Sequence, residues 1–194
     1  TAAIVVTAAV RIYDLSHVSV CPGSTILVPF DFEGKFEEKN RFLVQISDVS
    51  GRFSTISDSL RHGPARIVLP QNRTGLVAVR VISTHPNVVS TPTRLMVLPL
   101  PQAKIETNDG GSIAKIGPGQ AATYRVSLTG AAPWSFTISD GTVVTNTLVN
   151  PYVAQVSPKE TTSYKVTSIL NACGSGTSSG ELVVQVSQDT LPII

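Results

Sequence analysis

The residue pattern best suited to catalysis is a G-x-S-x-G motif at 176–180, with Ser178 at its centre. In hydrolases this motif forms a nucleophile elbow, which needs a strand before the serine and a helix after it. Here the surrounding letters "GSGTSSG" are of low complexity, and "ELVVQV", a strand pattern, follows them. We therefore predict a flexible loop between two late strands, and no nucleophile.

The histidines and the paired glutamates do not form a site pattern either. His17, His62 and His85 are each separated by more than twenty residues, and none has a second ligand at metal-binding spacing. Glu37-Glu38 is flanked by lysines, whereas an acid–base pair needs two carboxylates that converge from different elements. The histidines are predicted to be solvent-exposed or loop residues, and the two glutamates to lie in a solvated loop or a short helical turn.

The remaining candidates are two aspartates and two cysteines. Asp109 and Asp140 each precede a glycine, which is typical of turns, and no D-x-D pattern supports calcium binding. Cys21 and Cys173 lack the closely spaced partner of a metal site. A disulfide between them would have to join the two halves of the chain, so two free thiols are favoured. We predict no catalytic, cofactor-binding or metal-binding residues, no cofactor, and no enzymatic activity.

Composition excludes two classes of partner. The 194 residues carry a net charge of only +2, and Lys and Arg are scattered, so nucleic acid is not expected as a partner. No run reaches the ~18 apolar residues of a membrane span, so the chain is not expected to cross a membrane. The apolar opening "TAAIVVTAAV" lacks the features of a signal peptide. A start at Thr1 suggests a mature or excised fragment, which we expect to be monomeric.

Short alternating runs of apolar and polar residues occur throughout the chain. They cover residues 25–30, 42–47, 65–69, 76–83 and 94–98 in the first half, and 122–128, 134–139, 152–156, 164–169 and 182–186 in the second. Alternation with many β-branched residues predicts strands with one buried face. Turn residues separate the runs, and no stretch has a sustained helical period. The sequence therefore predicts an all-β protein.

One strand pattern occurs twice. Residues 42–48, FLVQISD, align without a gap with residues 134–140, WSFTISD. Three further landmarks keep the same order: Pro22-Gly23-Ser24 with Pro118-Gly119-Gln120, 77–81 with 164–168, and 94–98 with 181–185. Insertions between the landmarks fall in predicted loops. We infer a tandem repeat of one module.

The predicted boundary is the segment "LPLPQ" at 98–102, whose two prolines favour a stiff extended linker. The predicted organisation is a linker or the end of a preceding module at 1–10, a module at 11–99, a linker at 100–102, a module at 103–188 and a tail at 189–194. Each module has the size and strand spacing of an immunoglobulin-like sandwich. We therefore predict two tandem immunoglobulin-like antiparallel β-sandwiches joined by a short Pro-rich linker.

Two residues of the second half occupy characteristic positions of that fold. Trp134 stands where such sandwiches bury an indole, and Tyr164 where a tyrosine corner bonds upstream backbone. Val166 replaces the cysteine found two residues later in antibody domains, so packing is expected instead of that disulfide. The first half has Phe42 and Val77 at the two positions.

Two stretches carry a resemblance to a known family. The segments "VCPGSTILVPF", "NRFLVQISDVSGRF" and "VAVRVIS" resemble repeat modules of very large secreted or surface proteins of Bacteroidetes bacteria. The segments "PGQAATYRVSLTGAAPWSFTISDGTVV", "SPKETTSYKVTSI" and "NACGSG" resemble a second module type of these proteins. The resemblance implies export and an extracellular or cell-surface location. It also implies a disulfide within the second module, but Ile116 replaces the first cysteine of that pair while Cys173 remains.

Three functions are compared on this basis. We favour non-catalytic structural or adhesive spacer modules of a larger bacterial surface or secreted protein. The partners are then other modules of the same polypeptide, with glycans or host matrix proteins as candidate ligands. The alternative is an accessory carbohydrate-binding module of a secreted polysaccharide-active enzyme. That function would depend on Tyr13, Tyr124 and Tyr152, since Trp134 and Tyr164 are assigned to the core. A free-standing enzyme is the least favoured.

Overall fold

The computed structural model describes residues 7–187, and these residues form strands, turns and loops without any helix. The chain divides into two compact units, Thr1–Pro99 and Leu100–Ile194. Each unit is an immunoglobulin-like β-sandwich, which confirms the predicted fold class. Among residues 7–187 there is no helix long and apolar enough to span a bilayer.

Nine strands build the first unit. They are β1 (Ala9–Ile12), β2 (Ser19–Val20), β3 (Thr25–Val28), β4 (Phe30–Glu33), β5 (Phe42–Ser47), β6 (Phe53–Thr55), β7 (Ala65–Val68), β8 (Gly75–Ser83) and β9 (Thr93–Val97). Five strands form one sheet in the order β2-β9-β8-β5-β6, and the other four form the ladders β1–β4 and β3–β7. Because side chains alternate between the faces of a strand, every second residue enters a core shared by these sheets.

Eleven strands build the second unit. They are β10 (Gln102–Thr107), β11 (Ile113–Ile116), β12 (Ala122–Thr129), β13 (Trp134–Ile138), β14 (Val143–Thr147), β15 (Tyr152–Val156), β16 (Thr162–Tyr164), β17 (Val166–Asn171), β18 (Gly174–Ser175), β19 (Thr177–Ser179) and β20 (Leu182–Val186). They form three sheets, in the orders β15-β12-β10-β19, β14-β13-β17-β18 and β11-β20-β16. Their inward side chains form a second core.

The ladders between named strands are antiparallel with three exceptions. Strand β2 pairs in parallel with β9, β10 with β19, and β11 with β20. The sandwiches are therefore antiparallel in most ladders, as predicted, with these three parallel pairings added. In each case a strand from the beginning of a unit runs beside a strand from its end.

The recurring stretch forms the same strand in both units. Strand β5 pairs antiparallel with β8, and β13 pairs antiparallel with β17. The residues at alternate positions are buried in both copies: Phe42, Val44 and Ile46, and Trp134, Phe136 and Ile138. The two other aligned segments also correspond, since Leu95 and Leu182 are both fully buried at matched positions of β9 and β20. The structure confirms the register of the repeat up to a bulge between Thr137 and Ile138, beyond which buried Val81 corresponds to Ile169 and not to the aligned Ser168.

The serine of the shared Ile-Ser-Asp tripeptide has the same structural role in both units. The Oγ atom of Ser47 accepts the backbone N–H of Ala78 at 2.9 Å, and that of Ser139 accepts the N–H of Lys165 at 3.1 Å. The sequence alignment already equates Ala78 with Lys165. The hydroxyl thus binds a donor of the neighbouring strand at the point where the regular ladder ends.

The aspartate of the tripeptide closes the turn that follows. The Oδ1 atom of Asp48 accepts the N–H groups of Ser50 and Arg52, both at 2.9 Å. The Oδ1 atom of Asp140 accepts the N–H of Thr142 at 2.9 Å. Hydrogen bonds to the carboxylate, that of the Ser50 hydroxyl foremost, hold the pKa of Asp48 below its usual value. Repetition of this tripeptide therefore follows from strand and turn construction.

Of the two characteristic aromatic residues, one behaves as predicted. Trp134 is 6 % exposed, and its Nε1–H donates to the carbonyl of Thr129 at 3.0 Å, as expected of a core indole. Tyr164 is buried, but among the described residues its hydroxyl makes no hydrogen bond to upstream backbone, so the predicted tyrosine corner is not formed. Burial raises the pKa of the Tyr164 hydroxyl.

Some segments differ from their predicted state. Ala9 and Val10 belong to β1, inside the segment predicted to be a linker or the end of a preceding module, and Gln102, in the predicted linker at 100–102, begins β10. The predicted tail at 189–194 lies outside the described residues. The prediction of two free thiols is wrong: both Cys21 and Cys173 are disulfide-bonded. The absence of closely spaced partners argued against a metal site, but it did not bear on disulfide formation.

A buried carboxylate joins the first two long strands of the second unit. The side chain of Glu106 on β10 is 8 % exposed and lies 2.6 Å from Lys104 Nζ and 2.9 Å from Arg125 Nη2 on β12. The hydrogen bond from Lys104 is the main cause that holds the pKa of Glu106 below its usual value, and the Arg125 guanidinium adds to it.

We expect Glu106→Gln to lower the free energy of unfolding of the second unit by about 1–2 kcal/mol at pH 7, because charge-assisted hydrogen bonds become ordinary ones. Since the folded-state pKa is lowered, the contribution of Glu106 is full above the usual pKa of 4.5 and is lost as the pH falls through the folded-state value. Denaturation followed by Trp134 fluorescence at several pH values measures this. The exposed Glu160→Gln serves as control; a pH-independent difference between Glu106→Gln and the wild type would contradict the prediction.

Candidate functional site

The serine of the G-x-S-x-G motif is not arranged as a nucleophile. Ser178 lies in β19, and its Oγ donates a hydrogen bond to the carbonyl of Val166 at 2.7 Å. Strand β19 pairs with β10, and strand β20 follows it. The strand–turn–helix geometry of a nucleophile elbow is therefore not present here. The prediction of a flexible loop is also wrong, because residues 177–179 form a strand.

The three histidines lie in separate surroundings. His17 is exposed, with Nδ1 3.9 Å from Asp14 Oδ2, and His62 Nδ1 lies 3.3 Å from the carbonyl oxygen of Gly63. His85 Nδ1 is buried and makes no hydrogen bond within the described residues. No three His, Cys, Asp or Glu side chains within residues 7–187 are grouped so that they could hold a metal ion.

The acidic candidates are engaged in local structure. Asp109 Oδ1 accepts a hydrogen bond from the Thr107 hydroxyl, whose oxygen in turn accepts the N–H of Gly111 at 2.7 Å. The Thr107 hydrogen bond is the main cause that lowers the pKa of Asp109. Glu37 lies 3.3 Å from Lys39 Nζ in an exposed ion pair. Turn construction and surface pairing account for these carboxylates.

The tyrosines considered for carbohydrate binding are not displayed together. Tyr124 is buried, and burial raises the pKa of its hydroxyl to about 12. Tyr152 packs against the core of the second unit, with its ring 5.3 Å from that of Phe136. Only Tyr13 is well exposed, at 53 %, and its hydroxyl bonds the carboxylate of Asp31. A stacking platform made of these tyrosines is therefore excluded.

The first unit displays a different aromatic group. Phe30, Phe32, Phe36 and Phe42 form one cluster, which we call the phenylalanine cluster. The ring centroid of Phe42 lies 5.3, 4.6 and 5.5 Å from those of the other three, in that order. Phe30 and Phe42 are buried, whereas Phe32 is 41 % exposed. The cluster thus runs from the core to the surface.

A cavity of about 150 Å³ opens where the phenylalanine cluster reaches the surface. Three of its rings line this cavity together with polar residues: Phe32, Phe36 and Phe42, with Glu37, Glu38, Asn40 and Arg61. A wider depression of about 430 Å³ shares Glu37, Glu38 and Arg61 with it. We call the two together the phenylalanine pocket. It has an apolar floor and a charged rim.

Two loops build the rim, and both are held in place. In the loop between β4 and β5, the Oδ1 atom of the buried Asn40 accepts the N–H groups of Thr84 at 3.0 Å and His85 at 2.8 Å. In the loop between β6 and β7, a Cβ atom at Gly63 would lie 2.3 Å from the carbonyl oxygen of Phe30, so only glycine allows this close approach. The pocket is therefore formed by fixed backbone.

We expect Asn40→Ala to lower the free energy of unfolding of the first unit by about 1–2 kcal/mol, because the backbone N–H of His85 loses its acceptor while that of Thr84 keeps only the carbonyl of Arg41 at 3.0 Å. Hydrogen-exchange mass spectrometry of peptides from the first unit measures the loss. The exposed Asn72→Ala is the control, since its side chain is in solvent. Equal exchange in the two variants would show that the Asn40 side chain does not hold the loop.

Sequence reasoning did not identify this pocket. The letters "FDFEGKFEEKNRF" do show four phenylalanines within thirteen residues at 30–42, which was a usable signal. Phe30 and Phe32 lie on the same face of β4, but only Phe30 is buried. Arg61, which also lines the pocket, belongs to the later loop between β6 and β7, so these letters do not include it.

Comparison with known proteins identifies neither a family nor a function for the chain. No family model matches the chain, and no curated protein matches it. Solved structures do match, among them one described as fibronectin(III)-like modules of Clostridium thermocellum CbhA. It is 13 % identical, the match covers 94 % of this chain and 96 % of that chain, and the TM-score is 0.35. A likeness this distant carries no conclusion about the function of the chain.

Proposed function

We propose that the two sandwiches are non-catalytic structural modules that act as spacers in a larger secreted or surface protein. The observation that carries this proposal is the use of the repeated residues. The landmarks shared by the two halves build strands, turns and cores, as the paired bonds of Ser47 and Ser139 illustrate. The residues that the two copies share are thus residues that build the sandwich.

The motifs that could have supported catalysis agree with a structural role. Ser178 bonds a backbone carbonyl within a strand, and Asp140 closes a turn. The buried Glu106 is paired with two cations on a sheet face and does not line a described cavity. The bacterial surface location remains a proposal that rests on the resemblance of the sequence to Bacteroidetes modules.

The proposal of a non-catalytic module is tested with hydrolysis assays on generic p-nitrophenyl esters and glycosides. We expect no turnover above that of buffer. Saturable turnover by the wild type that disappears in Ser178→Ala would overturn the proposal, because the variant removes the only serine placed in a hydrolase motif.

The spacer role is tested by displaying the full chain multivalently on beads and offering glycans and host matrix proteins. Multivalent display matters because weak single-site binding would otherwise escape detection. Absence of binding to the matrix proteins supports a spacer. Saturable binding of a matrix protein, lost on mutation of one loop, would replace the spacer with an adhesive module.

A further inference from the structure

We propose that the phenylalanine pocket of the first unit binds one neutral pyranose ring of a glycan. This goes beyond the spacer role, which needs no ligand. It also differs from the carbohydrate site considered from the sequence, because none of Tyr13, Tyr124 and Tyr152 contributes. The ligand class follows from the size of the pocket, from its ring surfaces and from the balance of its polar groups.

The pocket has room and surface for one six-membered ring. An apolar cavity of about 150 Å³ admits a ring of the size of benzene, and the volume beside Phe32 is about 150 Å³. The rings of Phe32 and Phe36 meet edge to face at 81°, so they form two walls of a corner. The C–H face of a pyranose can lie against an aromatic ring while its hydroxyl groups point to the rim.

A largely buried amide supplies donors to the lining of the pocket. Asn40 is 7 % exposed and lines the cavity. Its oxygen is identified by the two backbone N–H groups it accepts, which leaves the Nδ2 hydrogens as donors. Within the described residues Nδ2 has no hydrogen-bond partner. Nδ2 is not fully buried, so water can reach it, and a ligand oxygen that accepts from it would replace that water.

Outside the Glu37–Lys39 ion pair, the rim carries the charges of Glu38, Arg41 and Arg61. Glu37 is paired with Lys39, and the Arg41 Nη1 donates to the carbonyl of Asn40 at 2.7 Å. Among residues 7–187, the side chains of Glu38 and Arg61 make no ion pair or hydrogen bond. A charged ligand would therefore meet a like charge as well as an opposite one. A neutral ring with hydroxyl groups can donate to Glu38 and accept from Arg61.

The test uses the full chain labelled with ¹⁵N and titrated with cellohexaose, xylohexaose and mannohexaose up to about 10 mM. We expect at least one of the three to shift the amide signals of residues 32–41 and 61 saturably. Phe32→Ala and Arg61→Ala should each lower the affinity at least about tenfold, with the rest of the spectrum unchanged. The exposed Val68→Ala and Arg66→Ala, on β7, are matched controls that should retain wild-type affinity.

Three outcomes would overturn the inference. No saturable shift with any hexaose would show that the pocket is not a pyranose site, and it would leave the spacer proposal standing. Binding that survives both Phe32→Ala and Arg61→Ala would place the glycan elsewhere. Stronger binding of N-acetyl-phenylalaninamide than of any hexaose, lost in the same variants, would make the pocket a peptide site.

Discussion

Replacing Trp134 with alanine should lower the free energy of unfolding of the second unit by about 3–5 kcal/mol. The indole is almost wholly buried in the core of that unit, and alanine would leave a cavity that fixed strands cannot fill. The hydrogen bond from Nε1 to the Thr129 carbonyl is lost as well. Because ordinary domains are stable by about 5–15 kcal/mol, the variant should be marginally folded.

The measurement is denaturant-dependent hydrogen exchange resolved by peptide, since the variant lacks the only tryptophan. Trp134→Phe serves as control, because it keeps a ring in the cavity and should lose less stability. Peptides of the first unit should keep their wild-type midpoint. If both units shift together, the two sandwiches unfold as one cooperative body and the expectation of separate modules fails.

Replacing Phe42 with alanine should produce the equivalent effect in the first unit, again about 3–5 kcal/mol. Phe42 is 1 % exposed and lies at the centre of the phenylalanine cluster, in contact with all three other rings. Its removal takes away core volume and the support of Phe32 and Phe36. Pyranose binding should therefore be lost together with stability.

In this experiment the second unit can be followed separately, because Trp134 is the only tryptophan and lies in that unit. In Phe42→Ala the fluorescence midpoint should stay at its wild-type value while exchange in first-unit peptides accelerates. Phe42→Leu is the control, since it retains most of the apolar volume and should cost less than the alanine variant. A loss below about 1 kcal/mol in Phe42→Ala would mean that the cluster is not part of the core.

Much of the fold could be predicted because it depends on local alternation. β5 and β13 are strands with buried residues at every second position, and this period is visible in the letters. Strands such as β10 and β14 escaped prediction because their patterns are less regular. In β10 the charged Glu106 occupies a covered position, which only the neighbouring Lys104 and Arg125 make acceptable.

The candidate site was much less predictable. Phe32 looks like another core residue of β4, and its exposure depends on where the strand leaves the sandwich. Asn40 looks like a loop residue, yet tertiary hydrogen bonds to Thr84 and His85 bury it. Arg61 reaches the same rim because the chain returns there after β6. The chain topology brings these residues together, and their spacing in the sequence does not indicate it.

The parallel ladders have a mechanical consequence. In each unit a strand from its beginning runs beside the last strand in the same direction, β2 with β9 and β11 with β20. Tension applied to the two ends of such a unit pulls these partners lengthwise in opposite directions, so their hydrogen bonds are loaded together instead of opening one after another. The ladder has four residue pairs in the second unit and two in the first. With the cysteines reduced, so that only hydrogen bonds carry the load, the second sandwich is on this ground the stronger link in a chain under tension.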